Sequence, residues 1–162
     1  MDQLILALSI AALLGSALVA GVFFAFSSFV MKALARLPAT EGVAAMQSIN
    51  VVVINRSFLG VFIGTAVLSL GMVVVAVLEW GTRASLFHLG GAVLYLVGTF
   101  LVTGVRNVPL NDELAALSPD QVGERDTWDR YLRQWTVWNH VRTIAALLAA
   151  LSYCLGLLAG AA

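Results

Sequence analysis

The chain has 162 residues, of which 60% are hydrophobic and 11% charged, and its formal net charge at pH 7 is zero. Ordinary soluble domains carry about 25% charged residues, so this composition excludes a soluble globular fold and a disordered tail. A zero net charge offers no basic surface to nucleic acid, and we expect no nucleic-acid partner.

Four windows free of Asp, Glu, Lys and Arg are each long enough to cross a lipid bilayer. A helix crosses the hydrocarbon core with about 20 apolar residues, whereas the strands of a membrane β-barrel alternate apolar and polar residues. We therefore predict an all-α integral membrane four-helix bundle that forms one domain over residues 1–162. Its spans cover about residues 4–34, 57–80, 84–106 and 140–160.

The connections between the spans are predicted to add amphipathic helix to the second and fourth spans. Pro38 breaks the chain after the first span, and residues 43–56 then continue into the second span as one long or kinked helix. Residues 107–126 form the one long loop, which we expect to fold back over the bundle. Residues 127–139 form an amphipathic helix that enters the fourth span without a breaker.

Lysine and arginine predict the orientation in the membrane. Segments 32–56 and 106–142 lie on the same side and hold eight of the nine basic residues, whereas the other side holds only Arg83. By the positive-inside rule these segments face the cytoplasm and both termini lie outside. We expect a multi-pass protein of the inner cell membrane, with the amphipathic extensions on the cytoplasmic side.

Small residues recur along the predicted spans and predict close helix packing. Gly60 and Gly64 form a G-x-x-x-G element with Gly71 near the same face. In the third span, Gly90, Gly91 and Gly98 leave three positions without a side chain. Small residues let helix backbones approach where lipid removes the hydrophobic drive between helices. They predict packing within the bundle or, as the alternative, a homo-oligomer formed through these faces.

Polar and aromatic residues gather at the cytoplasmic ends of the spans. One continuous stripe of the last helix holds Trp128, Tyr131, Trp135, Trp138 with Asn139, and Arg142. One interpretation is an interfacial aromatic belt with snorkelling arginines. A functional site is the other interpretation, because groups such as Asn139, His140 and Arg142 at the start of an uncharged span usually face a cavity or a partner.

We expect these three residues to meet amide side chains beneath Trp135 and Trp138. The candidate partners are Asn50, Asn55, Asn107 and Asn111. His140 and Arg142 are two positions apart and point about 160° apart on a helix, so one of them meets another helix and the other a ligand or headgroup. Four phenylalanines in residues 23–29 provide either lipid-facing bulk or, through Phe24, the wall of a flat aromatic pocket.

With two histidines and one cysteine, the chain has few of the side chains that commonly bind metal ions. His88 and His140 start different spans on opposite sides, so we expect them ~30 Å apart, too far to share one haem. No Cys/His cluster has metal-ligand spacing, and no metal site is predicted. Haem bound through one histidine remains an alternative, while His88 is predicted to be an interfacial side chain. Cys154 has no partner for an intramolecular disulfide.

Several segments together resemble the anthrone oxygenase family, which comprises small four-span membrane proteins, most of them bacterial. The most specific elements are Asn-x-Pro-x-Asn and Trp-x₂-Trp-Asn-x₂-Arg, and the resemblance covers essentially the whole chain. The segments are residues 21–31, 42–50, 107–114 and 128–143.

The resemblance implies oxidation of a lipophilic phenolic, anthrone-like or quinol-like substrate with dioxygen and without a dedicated cofactor. His140 is then the base, Asn107, Asn111 and Asn139 are amide donors, and Arg142 stabilises the substrate anion. Trp135 and Trp138 stack on the substrate rings, and Asn50 and Phe24 complete the substrate site. Two alternatives remain: a non-enzymatic accessory or small-molecule-binding membrane protein without a cavity, and a haem-binding four-span oxidase.

Overall fold

The computed structural model describes residues 2–117 and 125–161 as five helices. Four of them are long and apolar enough to cross a membrane, so the prediction of an all-α integral membrane bundle is confirmed. The shorter α2 precedes the second span. The helices are α1 (Gln3–Leu34), α2 (Ala39–Val52), α3 (Arg56–Leu78), α4 (Arg83–Ala115) and α5 (Arg125–Ala161).

The two ends of the bundle differ in how the helices are connected. At the turn end, residues 79–82 join α3 to α4, and Gly81 has a φ of 93° that favours glycine. The Thr82 side chain accepts a hydrogen bond from the Ser85 amide at 3.1 Å and so caps α4. At the elbow end, residues 35–38 and 53–55 join α1 to α2 and α2 to α3.

The predicted long or kinked helix over residues 43–80 is two separate helices, because the chain breaks at residues 53–55. Asn55 has extended backbone angles, and its Oδ1 accepts a hydrogen bond from the Phe58 amide at 3.0 Å. Its Nδ2 donates to the carbonyl of Val52 at 2.9 Å. One asparagine therefore ends α2 and caps α3, which lets α2 turn across the end of the bundle.

The predicted loop 107–126 is also shorter than expected. Two π-helical segments, Leu94–Leu101 and Thr103–Asn107, carry α4 past the predicted end of its span and into the α-helical segment Val108–Ala115. Pro109 is tolerated because it lies in the first turn of that segment, where its missing N–H is not needed. Leu114 then packs on Met46 and Trp128. The rest of the predicted fold-back includes residues 118–124, which lie outside the described residues.

Helix α5 is the axis of the bundle, packing against α1 along much of its length and against α4. Glycines permit this at Gly91, where an added Cβ would lie 2.9 Å from the Tyr153 ring, and at Gly98, where it would lie 2.5 Å from the Ala145 Cβ. Gly60, Gly64 and Gly71 instead face open space. The prediction of packing inside the bundle holds for the glycines of the third span, including Gly90, where an added Cβ would lie 3.2 Å from the Ser152 hydroxyl, but not for those of the second span. A homo-oligomer through the outer faces stays a prediction.

His88 is not the interfacial side chain that we predicted. It is fully buried, and its Nε2 lies 3.3 Å from the Ser9 hydroxyl while its Nδ1 lies 3.9 Å from a Glu79 carboxylate oxygen. Gly156 makes room for the ring, since an added Cβ there would lie 2.6 Å from it. The imidazole therefore belongs to the core of the turn end.

Helix contact at Gly98 leads to a stability prediction. We expect Gly98→Ala to lower the melting temperature, because the added methyl must push α4 from α5, and such overpacking costs about 1–3 kcal/mol. Gly64→Ala is the matched control, since its methyl enters open space and alanine favours helix. Thermal unfolding of both variants in detergent checks this, and equal melting temperatures would contradict the packing.

Candidate functional site

A cavity of about 860 Å³ opens at the elbow end between all five helices. Its size lies in the upper part of the range for small-molecule sites, about 300–1,000 Å³. Exposed Val51 and Ile54 from the elbow and exposed Asp112 from α4 mark its mouth. Five aromatic rings line it: Phe23, Phe26, Phe58, Phe62 and Trp135. The lining also includes the polar side chains of Gln47, Asn50, Thr103, Asn111, Asp112 and Arg142.

Arg142 forms the charged part of the cavity wall, and it is only 4% exposed. Its guanidinium carbon lies 4.2 Å from the ring centre of Phe23 and 5.2 Å from that of Trp135, so two aromatic faces cover the cation. Nη1 donates to the Thr103 hydroxyl at 3.2 Å and Nη2 to the Asn139 carbonyl oxygen at 2.7 Å.

The charge of Arg142 has no acidic partner among the described residues. No described carboxylate lies within 4.0 Å of its nitrogens, and its buried Nε has no hydrogen-bond acceptor. A buried cation held only by neutral groups is costly, since removing an ion from water costs several kcal/mol before any attraction offsets it. The cavity thus presents a positive group to whatever enters it, and an anion would gain the attraction that the protein itself does not supply.

Asn139 holds this arginine in place from behind the cavity. It is fully buried, and its Nδ2 donates to the Phe23 carbonyl and to the Ser27 hydroxyl, each at 2.7 Å. Both acceptors lie where α1 changes to π-helical hydrogen bonding, at Phe26–Val30. Because the Asn139 carbonyl oxygen accepts from Arg142, one amide links α1, α5 and the guanidinium.

A second set of amides from α4 and α2 surrounds Trp135. The carbonyl oxygen of Asn111 accepts from the Trp135 indole at 2.8 Å and from the Tyr131 hydroxyl at 2.9 Å. Asn107 is buried beside it and donates to the Trp135 carbonyl at 3.2 Å. Asn50, from α2, also lines the cavity, and its buried Nδ2 has no partner. The indole and the backbone of Trp135 are therefore fixed by two asparagines from α4.

Three of the sequence-predicted site residues lie away from the cavity. His140 is exposed, Phe24 is 57% exposed, and Trp138 packs under the Arg106 guanidinium, whose carbon lies 4.6 Å from its ring centre. Helical geometry explains these positions, because the side chains of adjacent residues point about 100° apart around the helix axis. Phe23 faces inward, so its neighbour Phe24 faces outward. His140 lies away from Arg142, as their two-residue spacing implied, and it does not meet the asparagine side chains that we expected as its partners.

The predicted partners of the polar cluster were only partly right. Asn50 and Asn111 line the cavity, whereas Asn55 caps α3 and Asn107 binds backbone behind Trp135. The partners that sequence reasoning missed are Ser27, Thr103, Gln47 and Asp112. Ser27 and Thr103 were visible as hydroxyls inside apolar spans, but the spans alone do not indicate which of them meets Arg142.

Neither histidine lines the cavity, since His88 lies in the core of the turn end and His140 on the outer side of α5. Within residues 2–117 and 125–161, no three His, Cys, Asp or Glu side chains are grouped so that they could hold a metal ion.

Comparison with known proteins identifies the family. The profile of the anthrone oxygenase family matches residues 51–152, well over half of the chain. The chain belongs to the anthrone oxygenase family. The family resemblance predicted from the sequence is thereby confirmed. No match was found among curated proteins or solved structures.

The matched region of this anthrone oxygenase family member contains most of the cavity's polar side chains. It includes Thr103, Asn111, Asp112, Trp135 and Arg142 from α4 and α5. The cavity-lining residues of α1, and nearly all of those of α2, come before the matched region in the sequence. The charged and indole parts of the wall therefore belong to the family region.

Proposed function

We propose that the protein is a membrane-embedded oxygenase that oxidises a lipophilic phenolic, anthrone-like or quinol-like compound with dioxygen. Family membership supports an oxygenase-like role. The cavity supports a flat, apolar substrate because aromatic rings line it. The observation that carries the proposal is Arg142, a buried cation without a described carboxylate partner that faces this ring-lined space.

The oxidation of an anthrone by dioxygen suits a cavity that is lined by aromatic rings and holds a buried cation. An anthrone carries an acidic CH₂ group, because loss of one proton yields an aromatic enolate. That enolate reduces dioxygen directly: oxygen adds to the carbon, and the resulting hydroperoxide loses water to form the second carbonyl of an anthraquinone. Each turnover consumes one dioxygen and releases one water. A positioned cation lowers the barrier because it stabilises the charge that develops on the enolate oxygen.

In this proposal Arg142 binds the enolate oxygen, while Phe23 and Trp135 pack on the rings. Asn50, which also lines the cavity, is a second candidate donor for a substrate oxygen. Asn111 fixes the Trp135 indole and Asn139 fixes the guanidinium, so both act by positioning other groups. The direct reaction between enolate and dioxygen needs no dedicated cofactor, and the sequence-based expectation that none is used stays a prediction.

The test is oxidation of anthrone by the purified protein in lipid nanodiscs. We expect catalytic formation of anthraquinone with one dioxygen consumed per product, above the rate in empty nanodiscs. Absorbance of the product and an oxygen electrode measure the two quantities. Saturable binding of anthraquinone without any turnover of anthrone or a reduced quinone would contradict the oxygenase and favour a small-molecule-binding protein.

The same assay examines His140, which the resemblance made the base. With its side chain outside the cavity, we expect His140→Ala to retain turnover, whereas loss of a true general base costs about 10²–10⁴-fold. A drop of that size with an unchanged melting temperature would restore the sequence-based assignment.

We also propose that the elbow end faces the cytoplasm from the inner membrane. Of the nine lysines and arginines, eight lie in the segments of this end, as expected for the cytoplasmic side. The substrate site then opens near the cytoplasmic face of the membrane. Labelling of a cysteine introduced at Arg83 tests this, because a label restricted to the outside of the cell should reach it.

A further inference from the structure

Among the described residues that line the cavity, only one has a side chain that accepts a proton readily. Asp112 and Arg142 are the two of this described lining with ionisable side chains. Arginine stays protonated, and the amides, hydroxyl and indole that complete the polar lining are not bases at neutral pH. A reaction that starts with removal of a proton from carbon therefore finds its acceptor in Asp112, as far as the wall is formed by residues 2–117 and 125–161.

Asp112 lies where a base can return its proton to water after each turnover. It lines the cavity and is also exposed, so this residue lies at the boundary between the cavity and the water outside. It directly follows Asn111, whose side chain is tied to Tyr131 and Trp135. The backbone that carries Asp112 is thus anchored beside the substrate site, while its own side chain is free to exchange a proton with solvent.

Asp112 and Arg142 differ in depth within the cavity, as the two reacting ends of an anthrone require. In that molecule the acidic CH₂ group and the carbonyl oxygen lie on opposite edges of the central ring. The base and the group that holds the oxygen must then lie on opposite sides of the bound substrate. Asp112 is exposed at the mouth, whereas Arg142 is only 4% exposed in the inner wall, between the rings of Phe23 and Trp135.

We infer that Asp112 is the catalytic base of this site, and the inference rests on the proposed function. Its carboxylate takes a proton from the CH₂ carbon, and the electron pair of that C–H bond moves through the ring to the oxygen bound by Arg142. The enolate then passes its electrons to dioxygen. Asp112 loses the proton to water at the mouth, which restores the carboxylate.

The experiment separates proton removal from oxidation. Under anaerobic conditions in D₂O, the wild-type protein in nanodiscs should speed deuterium incorporation at the CH₂ group of anthrone, measured by mass spectrometry. Asp112→Asn should slow both this exchange and aerobic kcat by about 100-fold or more, because loss of a general base costs about 10²–10⁴-fold. Its affinity for anthraquinone, read from tryptophan fluorescence, should stay near that of the wild type.

Two variants complete the design. Glu113→Gln is the matched control, since Glu113 is the adjacent carboxylate but lines a separate small groove with Arg130 and Tyr131; it should exchange and oxidise like the wild type. Asp112→Glu should recover part of the exchange. Wild-type exchange or turnover in Asp112→Asn overturns the inference and leaves the oxygenase standing. A wild-type protein that neither exchanges nor oxidises anthrone overturns both.

Discussion

Replacing Arg142 by methionine is expected to reduce anthrone oxidation by about 10²–10³-fold, the usual cost of removing one group that stabilises an oxyanion. Methionine retains the length and the contact with Phe23 and Trp135 but supplies no positive charge. The enolate would then form in an apolar cavity without a counter-charge. Steady-state rates of anthraquinone formation measure the effect, and most of it should appear in kcat because the charge develops during the reaction.

The same variant should change thermal stability much less than activity. Methionine leaves the carbonyl oxygen of Asn139 without its donor, at a cost of about 1–3 kcal/mol. It also removes a buried cation whose desolvation costs several kcal/mol, so the two contributions oppose each other. Arg106→Met is the control, because Arg106 is an exposed arginine stacked on Trp138 outside the cavity. Equal losses of activity in both variants would contradict the role of Arg142.

The membrane bundle was predictable from the sequence because apolar windows depend only on composition and length. The path of the chain at the elbow end was not. Asn55 ends one helix and starts another through two side-chain hydrogen bonds, yet its neighbours are compatible with a continuous helix. Pro109 lies in the predicted loop 107–126, but α4 continues through it after a π-helical segment. Such local hydrogen bonding has no periodic signature in the sequence.

The candidate site was predictable to the extent that it follows one helix face. Of the predicted stripe of α5, Trp138 lies outside the cavity under Arg106, and the other members are buried. These are Trp128, Tyr131, Trp135, Asn139 and Arg142. Residues from other helices were assigned only in part: Asn50 and Asn111 line the cavity as expected, whereas Phe24 and Asn55 do not, because their position depends on how the helices rotate against each other. A rotation of one residue, about 100°, is enough to exchange Phe24 for Phe23.

Asn139 should be the residue whose loss most damages stability. Asn139→Leu removes the donor to the Phe23 carbonyl and the Ser27 hydroxyl and leaves Arg142 without its shortest hydrogen bond. Each unsatisfied buried group costs about 1–3 kcal/mol, and more when it is charged. We expect a loss of about 3 kcal/mol or more and little turnover. Gln134→Leu, an exposed amide on the same helix, should leave both properties nearly unchanged.

Asn139→Asp separates the fixing of Arg142 from the charge that Arg142 offers the substrate. The carboxylate can still accept from the guanidinium, so Arg142 stays in place, but it now has an anionic partner. That partner offsets part of the positive charge, and a substrate enolate would meet repulsion from it. We therefore expect Asn139→Asp to melt above Asn139→Leu and yet to be as inactive. Wild-type turnover in a folded Asn139→Asp protein would mean that the unpaired charge of Arg142 is not what the substrate binds.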